Sequence, residues 1–178
     1  MTEIPVAPRW EPNMEFSPPA PRERLERARD ALQGHGFATE IVADATAAKA
    51  AVLALVPDGA EVHVALSQTM RELGLSAEID ESGRYNAIRP QLKKLDRATQ
   101  QREMAKLATA PDYILGSVHA VTEDGQMVIG SGSGSQIAPY ANGAGQVILV
   151  AGAQKLVRDL DEGLRRLRGG TPPLADGR

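Results

Sequence analysis

Three polar segments of this chain follow directly on apolar, strand-like runs. They are Ser67-Gln68-Thr69 after Glu61–Leu66, His119 to Gly125 after Tyr113–Val118, and Ser131 to Gln136 after Met127–Ile129. Each carries groups that hold or move a proton or an anion. The run Gly130-Ser131-Gly132-Ser133-Gly134-Ser135-Gln136 has a backbone small enough to bring N–H and hydroxyl donors close to a polar ligand. The competing reading is a flexible loop, since Gly/Ser runs also make linkers. Ser67 and Thr69 stand where a strand passes into a helix, so their hydroxyls, with Gln68 and the free N–H groups of the helix start, suit a phosphate or carboxylate. Ser67 as a plain N-cap is the alternative, and the two roles can coexist.

Glu123, in the turn Thr122-Glu123-Asp124-Gly125, is the candidate general base or carboxylate nucleophile, because burial between a strand and a glycine turn raises a carboxyl pKa. A solvated turn residue is its rival, and Thr122 and Gly125 count with the ligand-binding residues. His119 can accept or donate a proton as a neutral imidazole, or be a satisfied structural histidine. Lys155, just after the run ending at Gly152, can pair with an anion or be a surface lysine at a helix start. Arg84, Tyr85 and Arg89 can clamp a carboxylate or phosphate, or pair with acidic neighbours.

Composition narrows the chemistry. The 178 residues contain no cysteine, which excludes thiol catalysis, disulfides and iron–sulfur or Cys-built zinc sites within the chain. His35, His63 and His119 are widely spaced, so a metal site is not expected, and no pattern names a cofactor. GxxxxGK[ST] and a GxGxxG fingerprint before a helix are both missing, which weakens ATPase and dehydrogenase readings. With a net charge of −3 and interspersed signs, nucleic acid is not an expected partner. Aromatic residues are 3% of the chain, so the core must rest on Ala, Val, Leu and Ile. No stretch resembles a signal peptide or membrane span, which points to a cytoplasmic protein with no membrane partner.

The elements that must position these groups follow from periodicity. Residues 1–21 are a proline-rich arm: Trp10 and Phe16 can fasten it onto the domain or onto a second copy, which would make a homo-oligomer, or it can equally be a floppy tail. Residues 22–168 form the domain, and 169–178 a loose tail. Leu25, Ala28 and Leu32 predict a helix from Arg22 to about Gly34. Phe37–Val42 reads as a strand, Asp44 as the N-cap of an Ala-rich helix to Leu55, and Glu61–Leu66 as an alternating strand. A short helix to Gly74 and a long charged helix over 91–108 come next. Tyr113–Val118, Met127–Ile129 and Val147–Gly152 are strands, Asp124-Gly125 is a hairpin signal, and a last helix covers 156–167. Alternating helices and strands give an α/β fold with a mainly parallel sheet flanked by helices on both faces.

The succession Gly116-Ser117-Val118-His119-Ala120-Val121-Thr122-Glu123-Asp124-Gly125, then Ser131–Gln136, then Val150-Ala151-Gly152-Ala153-Gln154-Lys155-Leu156-Val157-Arg158-Asp159-Leu160 closely resembles the LUD-domain family. The segment Ala65–Gly74 looks like the family's earlier strand-to-helix loop, and the resemblance covers about residues 25 to 168. Members include the C component of the bacterial lactate-utilisation system. The resemblance implies a domain similar to the ribose-5-phosphate isomerase, glucosamine-phosphate deaminase and CoA-transferase superfamily. In those relatives, loops after strands bind phosphorylated sugars or CoA esters and an acidic residue often does the chemistry; Glu123 occupies a comparable place. Lactate-utilisation proteins work beside iron–sulfur and flavin partners, and since this chain has no Cys, any cluster belongs to the partner. The implied function is a component of L-lactate or related 2-hydroxy acid oxidation that binds a small anionic molecule. A stand-alone enzyme on a sugar phosphate or acyl-CoA, and a non-catalytic binding or assembly module, remain open beside it.

Overall fold

The structure is a computed structural model that describes residues 14–16 and 18–169. Trp10 lies outside them, as does the tail beyond Gly169.

Helix α1 spans Arg22–Gly34 and α2 spans Ala45–Leu55; Asp44 caps α2 by accepting the Ala47 N–H at 2.9 Å. Strand β1 (Glu61–Val64) leads into the short helix α3 (Gln68–Glu72), and Gly74, at φ +67°, turns the chain into α4 (Leu75–Glu81). Strand β2 (Asn86–Ala87) and helix α5 (Ile88–Leu92) follow, then α6 (Gln101–Thr109) and strand β3 (Tyr113–Gly116). Strands β4 (Ala120–Thr122), β5 (Met127–Val128), β6 (Gln146–Leu149) and β7 (Leu156–Val157) precede helix α7 (Leu160–Gly169).

Four strands, in the order β2-β1-β3-β6, make a wholly parallel sheet. Val62 and Val64 on one face of β1 pack with Val52 and Val56 of α2, Met70 of α3, and Leu75 and Ile79 of α4. Because side chains alternate across a strand, His63 faces the other way, and its Nδ1 lies 3.3 Å from the Ala108 carbonyl of α6. Helices therefore cover both faces. This is the predicted α/β architecture. A smaller sheet, β5-β4-β7, joins β4 and β7 in parallel and closes β4–β5 as an antiparallel hairpin through Asp124-Gly125. Gly125 sits at φ +83°, and a Cβ there would meet the backbone of α1 at Ala31 and Leu32 at about 3 Å. The turn is thereby docked on α1.

Three predicted elements differ. Phe37–Val42 is not a strand: the Phe37 N–H donates to Leu32 O at the end of α1, the Gln33 side chain holds the Thr39 carbonyl, and Phe37 is exposed. Local bonds take the groups a ladder would need. The helix expected over 91–108 is broken into α5 and α6 by Asp96, whose carboxylate accepts from the Ala98 N–H and the Thr99 hydroxyl, both at 2.9 Å. A short acidic side chain here competes with helical bonding. The last helix begins at Leu160, because Leu156-Val157 pair with Val121-Thr122 instead.

Candidate functional site

Parallel strands carry their carboxyl ends to one edge, and three neighbouring exits meet there. β1 continues through Ala65–Ser67 into α3, β3 through Ser117–His119 into β4, and β6 through Val150–Gly152 into the 3-10 turn Ala153–Lys155. Between them lies a cavity of about 180 Å³. Ser67, Gln68, Thr69, Ser117, His119 and Lys155 line it from the strand exits. Gln136 and Tyr140 come from the segment before β6, Glu72 from α3, and Arg166 from α7.

Lys155 is the centre of this arrangement. Its Nζ donates to Ser117 Oγ at 2.7 Å and to Thr69 Oγ1 at 2.9 Å, and Ser117 Oγ in turn donates to the Val150 carbonyl at 2.6 Å. Burial pulls the amine down to about 8, the Arg166 guanidinium pushes the same way, and Glu72 opposes them. Arg166 is only 7% exposed. Its Nε donates to His119 O at 2.8 Å and its Nη1 to Phe16 O at 3.1 Å, and the guanidinium lies 5.6 Å from the centroid of the Phe16 ring. Burial lowers its pKa too. Among the described residues neither Lys155 nor Arg166 has a carboxylate within salt-bridge distance. A half-buried lysine and a buried arginine with no carboxylate at salt-bridge distance among the described residues, and only Glu72 further off on the cavity wall, carry a desolvation cost that an arriving anion relieves.

His119 Nδ1 accepts the Gly130 backbone N–H at 3.1 Å. An amide has only a proton to give, so Nδ1 keeps its lone pair and the neutral ring carries its hydrogen on Nε2. Burial, then Lys155 and Arg166, lower the His119 pKa and reinforce that neutral state. Tyr140 seals the floor: burial pushes its phenol up to about 12, and its hydroxyl rests on Gly116. A Cβ at Gly116 would fall inside the Tyr140 hydroxyl. Gly116→Ala is accordingly expected to cost about 1–3 kcal/mol of stability by displacing the ring, read as a lower denaturation midpoint.

A family model for the LUD domain matches residues 25–177. The chain belongs to the LUD domain family. No curated protein and no solved structure matches it.

Of the residues singled out in sequence, this LUD domain brings together Ser67, Gln68, Thr69, His119, Gln136 and Lys155 around the cavity. Ser131, Ser133, Gly134 and Ser135 stand behind Gln136 rather than on the wall. Ser131 Oγ donates to Gln136 Oε1 and accepts the Gly134 N–H, each at 2.9 Å, and Ser133 donates to Ser135 at 3.0 Å. The Gly/Ser run therefore bonds to itself and fixes Gln136. Ser67 opens α3 without a side-chain cap bond.

The Thr122–Gly125 turn lies away from the cavity. Thr122 is fully buried, donates to Asp124 and accepts the Gln126 N–H at 2.8 Å. Glu123 pairs with Arg24 and, at 2.8 Å, with Arg27, both on α1. Burial pushes its carboxyl up, but the hydrogen bonds from Arg27 and Arg24 outweigh this and hold it below the ordinary carboxylate range. That is the reverse of the elevation expected for a general base, and its neighbours are cations of a helix rather than a ligand space. Stability from Glu123 is full above the ordinary value of 4.5 and is lost as pH falls through the depressed one. Glu123→Gln should leave ligand affinity unchanged and lower the melting temperature modestly at pH 7, with the difference vanishing in acid; calorimetry and thermal melts at both pH values check it.

Arg84 pairs with Asp58 at 2.7 Å, and Arg89 lies 3.6 Å from Asp80, so both sit in ion pairs outside the cavity. Ser117, Tyr140, Glu72 and Arg166 were not singled out in sequence. Ser117 fell inside the strand read over Tyr113–Val118, and only the earlier end of β3 at Gly116 places it at a strand exit like Ser67. Arg166 stands three residues after the buried Gly163 and next to Leu167, on the side of α7 that faces the small sheet. A charge on that apolar side was its only signal.

Proposed function

We propose that this LUD domain binds a small carboxylate the size of a 2-hydroxy acid, with L-lactate as the reference ligand, and serves a bacterial lactate-utilisation system whose iron–sulfur and flavin centres sit on partner proteins. The observation that carries the reading is the pair of cations on one cavity, the half-buried Lys155 and the buried Arg166, with no carboxylate within salt-bridge distance of either among the described residues. Lys155 offers its charge alongside the Thr69 and Ser117 hydroxyls, and His119 offers its Nε2–H as a neutral donor. Such a set suits a carboxylate together with a neighbouring hydroxyl or carbonyl oxygen.

Size supports the small ligand. A cavity of about 150 Å³ holds benzene, which has as many non-hydrogen atoms as lactate, and the volume here is about 180 Å³. A sugar phosphate or an acyl-CoA would have to extend out through the open mouth of the cavity. No described helix is long and apolar enough to cross a membrane.

Isothermal titration of the full chain with L-lactate, inorganic phosphate and CoA tests the reading. Lactate binding is expected. Phosphate or CoA binding without lactate overturns the ligand class, and unchanged growth on L-lactate after deletion of the gene overturns the assignment to lactate utilisation.

A further inference from the structure

We propose that Lys155 is a covalent site, at which its amine condenses with the ketone of a small 2-oxo acid to form a Schiff base. The inference rests on the reading of the cavity as a carboxylate site and adds a reaction to it.

The hydrogen bonds around the amine make the case. Ser117 gives its only proton to the Val150 carbonyl at 2.6 Å, so towards Lys155 it is purely an acceptor. Thr69 Oγ1 also accepts from Lys155. A neutral amine bonded in this way spends its two N–H bonds on two hydroxyl oxygens and keeps its lone pair for an electrophile. With no carboxylate within salt-bridge distance among the described residues, nothing clamps the nitrogen as a permanent ammonium. Arg166 lines the same cavity and supplies the charge that a carboxylate next to the ketone requires. That combination selects a 2-oxo acid over a simple aldehyde or ketone. Burial places the amine at about 8, so roughly a tenth of the protein carries the free base at pH 7, against a small fraction of a percent for an ordinary lysine.

The step balances without an oxidant or reductant. The nitrogen lone pair forms a bond to the ketone carbon, and the carbonyl π pair moves to oxygen. One N–H proton passes to that oxygen to give the carbinolamine. The C–O bond then breaks, the departing oxygen takes the second N–H proton and leaves as water, and the nitrogen pair closes the C=N bond. Thr69, which donates to no described acceptor, is placed to relay these protons.

The experiment incubates the full chain with pyruvate and sodium cyanoborohydride, followed by intact-mass measurement and peptide mapping; titration with L-lactate, which has no ketone, runs in parallel. One reduced pyruvyl adduct on the peptide carrying Lys155, absent from a folded Lys155→Arg variant, is the expected result. No adduct, or an adduct spread evenly over Lys49, Lys93, Lys94 and Lys106, overturns the inference. Lactate binding with no adduct overturns the covalent step alone, whereas loss of both overturns the carboxylate reading as well. An adduct at Lys155 without lactate binding upholds the covalent step and makes the 2-oxo acid the ligand.

Discussion

Lys155→Met is expected to make the protein more stable and nearly unable to bind its anion. The amine lies at about 8 in the folded protein against an ordinary 10.5, so holding it charged at neutral pH costs the fold about 3 kcal/mol. Methionine keeps the unbranched shape and removes that charge. It also leaves Ser117 Oγ and Thr69 Oγ1 without the donor they accept from, a loss of about 1 kcal/mol each at most, because Ser117 retains its bond to Val150. The net gain is then about 1–2 kcal/mol, read as a higher denaturant midpoint. Removing a charge-assisted hydrogen bond to a carboxylate weakens binding by about 10- to 100-fold, read by titration calorimetry. A variant that is no more stable, and binds as the parent does, would show that Lys155 is neither strained by burial nor part of the ligand site.

The same lysine sets a pH dependence with a definite sign. Between about 8 and 10.5 the unfolded chain holds a proton on Lys155 that the folded chain has released, so this group's contribution to stability rises with pH across that window. The neighbouring groups leave this sign intact up to about 10: His119 is held neutral, Arg166 remains a cation, and Glu72 draws the amine only partly back towards its ordinary value. Above the ordinary tyrosine value of 10.0, Tyr140, pushed up to about 12 in the fold, works the other way and flattens the rise. Anion affinity should run the other way, falling as pH rises through about 8, since the amine loses the charge the anion needs. In Lys155→Met both slopes are expected to flatten, which thermal melts and titrations over this range would measure.

What the sequence disclosed about this site divides along physical lines. Ser67, Gln68, Thr69 and Lys155 were legible because each lies within a few residues of an apolar run, and the strand-exit rule converts that local pattern into a place on the sheet. Glu123 followed the same rule and was led astray by it. Its strand, β4, belongs to the small sheet, and the turn after it is occupied by Arg24 and Arg27 of α1, about a hundred residues earlier in the chain. No local pattern announces such a pairing. Phe37–Val42 shows the converse case: strand-like residue types found no neighbour to pair with, and β-propensity expresses a fit to a surface that must exist. Arg166 was hidden for a third reason. Its partners are backbone carbonyls of His119 and Phe16, and a carbonyl acceptor leaves no trace in the identity of the residue that bears it.

Phe16→Ala is expected to weaken carboxylate binding although Phe16 does not line the cavity. Phe16 is 7% exposed; its ring stacks with the Arg166 guanidinium and its carbonyl accepts from Nη1, while Ala20, further along the same segment, donates its N–H to the Ala153 carbonyl at 3.1 Å, beside Lys155. Phe16 and Ala20 are thus tied to the helix and to the turn that supply the two cations. Truncating a buried phenylalanine costs about 3 kcal/mol or more in a closed core and less in a peripheral segment that can collapse, so a loss of about 2 kcal/mol is expected here. With the ring gone, the guanidinium loses its stacking face and the strap that fixes its second acceptor. Its remaining anchor, the bond to His119 O, fixes one nitrogen but not the plane of the group. Affinity should fall about tenfold, with Phe16→Leu, which keeps the apolar volume and the backbone carbonyl, recovering most of the stability but less of the affinity. The decisive measurement is the double-mutant cycle with Arg166→Leu. If Phe16 acts through Arg166, the two losses in binding are strongly non-additive, and adding Phe16→Ala to Arg166→Leu changes affinity little. Additive losses would mean that the strap shapes the cavity by some route other than the guanidinium.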